Sequence, residues 1–337
     1  MSNPTLASWK DITPIYLGNP TYKQSGDTYK AEPSGLTIYS DNGTKWLFMV
    51  SDNGILARAS LPSSGSPTGT LDWQINPTPD DSDKAYDYES VSFANGNVMI
   101  GVEGDRGDKN NPTSPSIQRF DQGNTDSGHQ AGKFTGSVWT LKGIDFNSKT
   151  NKGMEGMTFV PWGAYPSDWT GGSSPHYGGI FFVSVQADYA QIYVYNLAQG
   201  GDGGDGTDTA DLGSTSNPLT VPTVDSAPSG SQPLMSDLSF DSGSGALYVL
   251  YDGGKDSSGS NLSNDYLQKL SISTTDTAPA VGAAIPPPLS KVWDYELPWL
   301  NCEGLAIDGD DLYVSVDDGD TPGNNGIFVL PGLLSKL

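Results

Sequence analysis

The sequence predicts an all-β protein, a five-bladed β-propeller of four-stranded antiparallel blades, and three observations carry that prediction. The chain of 337 residues holds 42 glycines and 24 prolines with 10% aromatics, a mixture that favours many short strands joined by turns over helices. One local pattern recurs five times along it. The strands that remain then complete five blades of four if the N-terminal stretch supplies the last one.

The repeat is a small or acidic residue, a second small residue, a short apolar strand, a turn and another apolar strand. Its copies begin at Pro33, Tyr88, Met154, Met235 and Cys302. Taking the second residue of each as an anchor, and Ser34 in the first, gives Ser34, Glu89, Glu155, Ser236 and Glu303, at spacings of 55, 66, 81 and 67 residues. A period near 60 residues with four strands per unit suits a propeller blade. Third strands fit Gly54–Leu61, Ile117–Asp121, Gln191–Leu197, Tyr266–Ile272 and Gly326–Leu330. Fourth strands fit Thr70–Ile75, Ser137–Leu141, Pro218–Pro222 and Leu289–Tyr295, the third of these least clearly. The fifth repeat runs out before a fourth strand, and Trp9–Leu17 is expected to fill that place, which would leave no exposed edge. No helix-length amphipathic segment competes, and a β-sandwich would require five matching anchors by accident. Residues 1–337 read as one propeller domain, with a Gly/Ser/Asp/Pro-rich loop insertion at 198–233.

Composition narrows the function. With 40 acidic against 17 basic residues the net charge is −23, which leaves no basic surface for nucleic acid. No apolar run reaches the roughly 18 residues of a membrane span, so no membrane insertion is expected. The one cysteine, Cys302, makes no internal disulfide and no zinc pattern, and two histidines, His129 and His176, exclude a His-rich metal site. Residues 1–4 carry no leader pattern. That leaves an intracellular chain or a mature form, and the Ser, Thr, Asn, Gly and Asp content favours a secreted or extracytoplasmic protein. A monomer is expected.

The anchors carry the chemistry. In a propeller the innermost strands line the central channel, so Glu89, Glu155 and Glu303 would face one another with Ser34 and Ser236 between them. Three carboxylates in one narrow channel repel, so either their pKa values rise or a cation holds them ionised. All-oxygen donors suit Ca²⁺, whereas softer metals would require His or Cys. The second strands run back to the same rim and would place Asp52, Asn53, Glu103, Asp105, Gln186, Asp188, Asp252, Asp317, Asp318 and Asp320 in a wider ring, with Arg106 and Lys109 the nearest cations by sequence. Singly these residues suit turns; together they mark the expected pocket and its candidate catalytic groups.

The anchor series Ser-Gly-Leu, Glu-Ser-Val, Glu-Gly-Met, Ser-Asp-Leu and Glu-Gly-Leu resembles the five-bladed propellers of the SdiA-regulated family. Its order Ser, Glu, Glu, Ser, Glu is also similar to that of calcium-activated nucleotidases (apyrases). The resemblance spans residues 34–318 and implies Ca²⁺ around Ser34, Glu89, Glu155, Ser236 and Glu303. Nucleotidase chemistry does not follow from it. Residues 51–54 here read Ser-Asp-Asn-Gly, without the arginine of the nucleotidase motif, and the chain has only Arg58, Arg106 and Arg119 for clamping a polyphosphate.

Other features are bland. Gly200–Asp208 resembles a single calcium-binding β-roll repeat, and one copy cannot stack. The aromatic insertion 162–177 is expected to pack over the propeller base, opposite the metal; exposed, it could stack on sugars. His129 reads as a loop residue, and Cys302 as buried and inert. The expected function is a Ca²⁺-dependent hydrolase of a small ester, lactone or phosphoester. The alternatives are a binding module for glycans or a protein partner with structural Ca²⁺, and a polysaccharide lyase.

Overall fold

The computed structural model describes residues 12–24, 27–76, 86–105, 115–123, 131–141, 153–170, 174–185, 191–197, 209–211, 219–255, 258, 260, 262, 264–274, 289–297, 299, 301–317 and 325–337. Strand β1 (Ile15–Gly18) is followed by a two-stranded hairpin, β2 (Thr21–Gln24) and β3 (Asp27–Lys30). Blade one is β4 (Pro33–Asp41), β5 (Thr44–Ser51), β6 (Ile55–Leu61) and β7 (Trp73–Ile75). Blade two is β8 (Tyr86–Ala94), β9 (Asn97–Asp105), β10 (Ser116–Phe120) and β11 (Phe134–Thr140). Blade three is β12 (Met154–Pro161), β13 (Gly179–Val185) and β14 (Gln191–Leu197), with β15 (Thr209–Asp211) and β16 (Leu219–Thr220) both pairing with β14. Blade four is β17 (Gln232–Asp241), β18 (Ala246–Lys255), β19 (Tyr266–Ile272) and β20 (Leu289–Glu296). Blade five is β21 (Cys302–Asp308), β22 (Asp311–Val316) and β23 (Gly326–Leu330), completed by β1.

The ring therefore closes as the strand count requires. Ile15 pairs with Val329, Tyr16 with Phe328 and Gly18 with Ile327, which covers the edge of β23. Around the axis each innermost strand packs on the next, from β4 through β8, β12, β17 and β21 back to β4. Five apolar clusters fill the five blade junctions. The middle strands feed two clusters at once: Leu47 and Met49 of β5 face blade five, while Phe48 and Val50 face blade two. Burial on both faces is why these strands read as unbroken apolar runs instead of alternating ones. Two of the inner hairpins turn on Asn-Gly, with Asn42 and Gly43 at φ 47° and 82° and Asn95 and Gly96 at 47° and 76°. Positive φ at both central positions matches the twist of the paired strands.

Three details differ from the sequence expectation. The outer strand of blade three is split between β15 and β16, so part of the 198–233 insertion is regular structure. The rest of its second half, residues 221–231, forms a strap tied to blade four, where the amides of Asp225 and Ser226 donate to Asp294. The β2–β3 hairpin was not expected, because its polar segments show no apolar alternation. Gly200–Asp208 and His129 lie outside the described residues, as does Trp9. In the aromatic insertion Tyr165 and Tyr177 are buried and Trp169 stacks on Tyr165 and packs against Phe182, as expected of a base-covering loop. No helix among the described residues is long and apolar enough to cross a membrane.

Candidate metal centre

All five anchors sit at one kind of irregularity. In β8 the partner of Tyr88 is Val102 and that of Ser90 is Gly101, so Glu89 has no partner of its own. Glu155, Ser236 and Glu303 are skipped in the same way between Met154 and Gly156, Met235 and Asp237, and Cys302 and Gly304. In β4 the skip falls between Pro33 and Leu36, which includes Ser34. A β-bulge re-aims its extra side chain. Here the five bulges stand at the start of five strands around one axis, and the acids they carry lie within electrostatic reach of one another.

The residue after each anchor explains the small second position of the repeat. A Cβ on Gly304 would lie 1.9 Å from the Ser34 carbonyl oxygen, one on Gly35 2.5 Å from Ser90 Cα, and one on Gly156 2.5 Å from Asp237 Cα. At these three glycines the neighbouring inner strands approach too closely for a side chain. Asp237 occupies the fourth such position and serves as the hub. It is buried, and its carboxyl accepts the amides of Leu238 and Leu305, both at 2.7 Å, and also those of Leu36 and Met157. One carboxyl thereby joins four of the five inner strands. Burial pushes its pKa up, and the four amides oppose that push.

Above this hub stands the acidic cluster. Carboxylate oxygens of Asp87, Glu89 and Glu103 all lie within 4.8 Å of one another. Glu103 is buried and accepts the Gly153 amide at 2.7 Å. It thus stands nearer the anchors than the wider ring expected of it. Burial raises the pKa of Glu89, and Glu155, Asp87 and Asp52 add to the rise. For Glu155 burial comes first, followed by Glu103, Glu303, Asp87 and Asp252. Burial, then Asp252, Asp317 and Asp52, raises Glu303. Glu89 and Glu155 thus each feel another anchor, and all three anchor acids feel an acid on or at the end of a second strand.

At blade four the cluster continues into a carboxyl pair. Burial first, then the charge of Asp265, pushes Asp252 up to about 7. Asp265 is fully buried and accepts the amides of Gly253 at 2.8 Å and Cys302 at 2.7 Å. Cys302 is buried, and burial raises its thiol pKa, so it is held as an unreactive thiol, as expected. The serines complete the ring. Ser236 Oγ donates to the Cys302 carbonyl at 2.8 Å and Ser34 Oγ to Asp52 at 3.4 Å, which leaves oxygen lone pairs rather than protons for a ligand.

Of the residues expected at the wider rim, Asp52, Glu103, Asp252 and Asp317 interact with the anchors. Asp105 closes β9, and its side chain lies outside the described set; Arg106, Lys109, Gln186, Asp188, Asp318 and Asp320 lie outside the described residues altogether. Asp87, Asp237 and Asp265 were missed. Asp87 could have been found, standing two residues before an anchor on the same strand; Asp265 opens a third strand and carries no such signal.

The donors present are carboxylate and hydroxyl oxygens, and Asp252 Oδ1 is buried without a hydrogen-bond partner. Both facts fit a hard divalent cation. Fold and site together define a class, a five-bladed β-propeller with an acidic, oxygen-lined cluster at one mouth of its channel. Residues 25–202 match the Phytase-like family, described as "Esterase-like activity of phytase", and the chain belongs to that family. It is a propeller of hydrolase type, in a family other than those its anchors resemble. No curated protein matches the chain. Among solved structures it is similar to a glycosyl hydrolase from Bacteroides ovatus, at 11% identity and a TM-score of 0.48 over 94% of this chain and 90% of that one. It is also similar to the PQQ-bound aldose sugar dehydrogenase of Streptomyces coelicolor, at 12% identity and 0.43, over 95% and 98%. Nothing about the reaction follows from likenesses at that level.

Proposed function

We propose that the protein is a Ca²⁺-dependent hydrolase of small esters, acting at the acidic mouth of the propeller channel. The observation that carries this reading is the cluster of Asp87, Glu89 and Glu103, with Glu155 and Glu303 coupled to it. Five or more acids this close cannot all ionise without a cation between them. Glu89, Glu155 and Glu303 would hold the ion, with Asp87, Glu103, Ser34 and Ser236 supplying further oxygens. When bound, such an ion polarises an ester oxygen and favours ionised water.

The chain's own groups suit the remaining steps. Asp252, with a pKa of about 7, is placed to take a proton from water at neutral pH, with Asp265 beside it to hold its orientation. Asp52 and Asp317 frame the mouth. The two described arginines are engaged between outer strands, Arg58 with Gln74 and Gln122 and Arg119 with Thr135 and Tyr177, so substrate anionic charge is left to the cation. We read residues 1–337 as one catalytic propeller, monomeric and extracytoplasmic. Hydrolysis of 4-nitrophenyl esters should be lost in chelator and restored by added Ca²⁺; full activity in metal-free protein would refute the reading.

A further inference from the structure

A cavity of about 790 Å³ opens where the 221–231 strap crosses blade four. By connectivity the strap lies on the acidic face, because it feeds β17 at the end that carries Ser236. Val221, Pro222, Val224, Ala227, Pro233 and Tyr251 form its apolar side, and the strap adds polar residues, Asp225 and Ser229 among them. Two strands link it to the metal centre. Tyr251 lines the cavity and Asp252 follows it. Pro233 lines the cavity, and Ser236 lies three residues on, roughly 10 Å along an extended strand.

Several polar groups of these walls are already engaged. Tyr251 donates its hydroxyl to Gln268 at 2.9 Å, and Gln268 in turn donates to the carbonyls of Pro222 and Thr223 at 3.0 and 3.2 Å. Asp225 is paired with Lys291, which also meets Asp294 at 3.1 Å. Apolar side chains therefore make the larger share of the wall, beside the hydroxyls of Thr223, Ser229 and Ser231 and the Lys291-paired carboxylate of Asp225, in a volume typical of small-ligand pockets.

We propose that this cavity binds the uncharged, apolar arm of the substrate, so that the ester is a neutral carboxylic ester with an alkyl or aryl group and not a polyphosphate. The choice of an ester rests on the hydrolase reading; the pocket's preference for apolar groups does not. In the reaction water's oxygen joins the acyl carbon as the ester C–O bond breaks. One proton goes to the departing alcohol, and the new acid loses another to solvent.

The test pairs binding with turnover, using the full chain in Ca²⁺ buffer. Calorimetry with ethyl, butyl and hexyl phenyl ethers, which cannot be hydrolysed, should show affinity rising about two- to fourfold per added methylene. Ser229→Trp, which fills the mouth, and Val224→Asp, which charges the wall, should each weaken hexyl ether binding at least tenfold while melting like the parent. In parallel, kcat/KM should rise from 4-nitrophenyl acetate to hexanoate and stay low for 4-nitrophenyl phosphate. Absent or length-independent ether binding, or equal binding in a folded variant, would overturn the pocket. So would a preference for the phosphate. Ether binding without hydrolysis of any ester would keep the pocket and overturn the hydrolase reading; Ca²⁺-dependent hydrolysis without ether binding would do the reverse.

Discussion

Gly304 shows how single positions shape the channel. Its Cα faces the Ser34 carbonyl so closely that an added methyl would lie 1.9 Å from that oxygen and 2.5 Å from Ser315 Oγ. The oxygen is backbone and is already held by Ser315 at 2.7 Å, so it has nowhere to move. Gly304→Ala is expected to cost about 3 kcal/mol, at the upper end of core overpacking, read as a lower midpoint in urea. Gly43→Ala, in an open turn, should cost less, through its positive φ alone. The anchors were legible in the sequence as a recurring pair of small and acidic residues. That the first of each pair is a bulge residue was not, because a bulge is visible only once both strands are registered. Asp87 and Asp265 were passed over for a related reason. An acid at a strand end ordinarily belongs to a turn, and only the folded blade brings Asp87 to Glu89 and Glu103 and Asp265 to Asp252, although the place of Asp87 two residues before an anchor was a usable signal.

Elements were more legible than residues. The inner and middle strands of all five blades follow from apolar runs bounded by turn residues. The third-strand expectations for blades three, four and five coincide with β14, β19 and β23. The outermost strands were less so. β7 spans only Trp73–Ile75, and β15 and β16 share one position, since outer strands bury less and their sequences carry weaker patterns. The closing strand β1 brings Leu17, fully buried, into the junction between blades five and one. Leu17→Ala should destabilise by about 2–4 kcal/mol, visible in chemical denaturation, since it empties a core site and loosens the strand that seals the ring. If β1 were a dispensable tail, the variant would unfold at the parent's midpoint.

At the scale of the whole molecule, the net charge of −23 resolves into a located strain. Asp252 is raised to about 7, and burial and mutual repulsion also push up Glu89, Glu155 and Glu303. Without metal the folded state therefore holds more protons than the unfolded chain from about pH 4 upward. Stability is then full below the ordinary carboxylate range and falls as pH rises through about 7. Melting of chelator-treated protein should accordingly be a few degrees lower at pH 8 than at pH 5, and excess Ca²⁺ should remove the difference. At one hundred times its dissociation constant, Ca²⁺ would add about 2.7 kcal/mol.

The central claim is that the acidic cluster is a cation site, and calorimetric titration of Ca²⁺ into metal-stripped protein, parent beside Glu155→Gln, tests it most directly. The parent should show saturable binding that weakens at least tenfold in Glu155→Gln. At pH 8, metal-free Glu155→Gln should meanwhile melt above the metal-free parent, because it replaces a buried carboxyl whose ionisation Glu103 and Glu303 oppose. No saturable binding in the parent, or equal binding in the variant, would contradict the account.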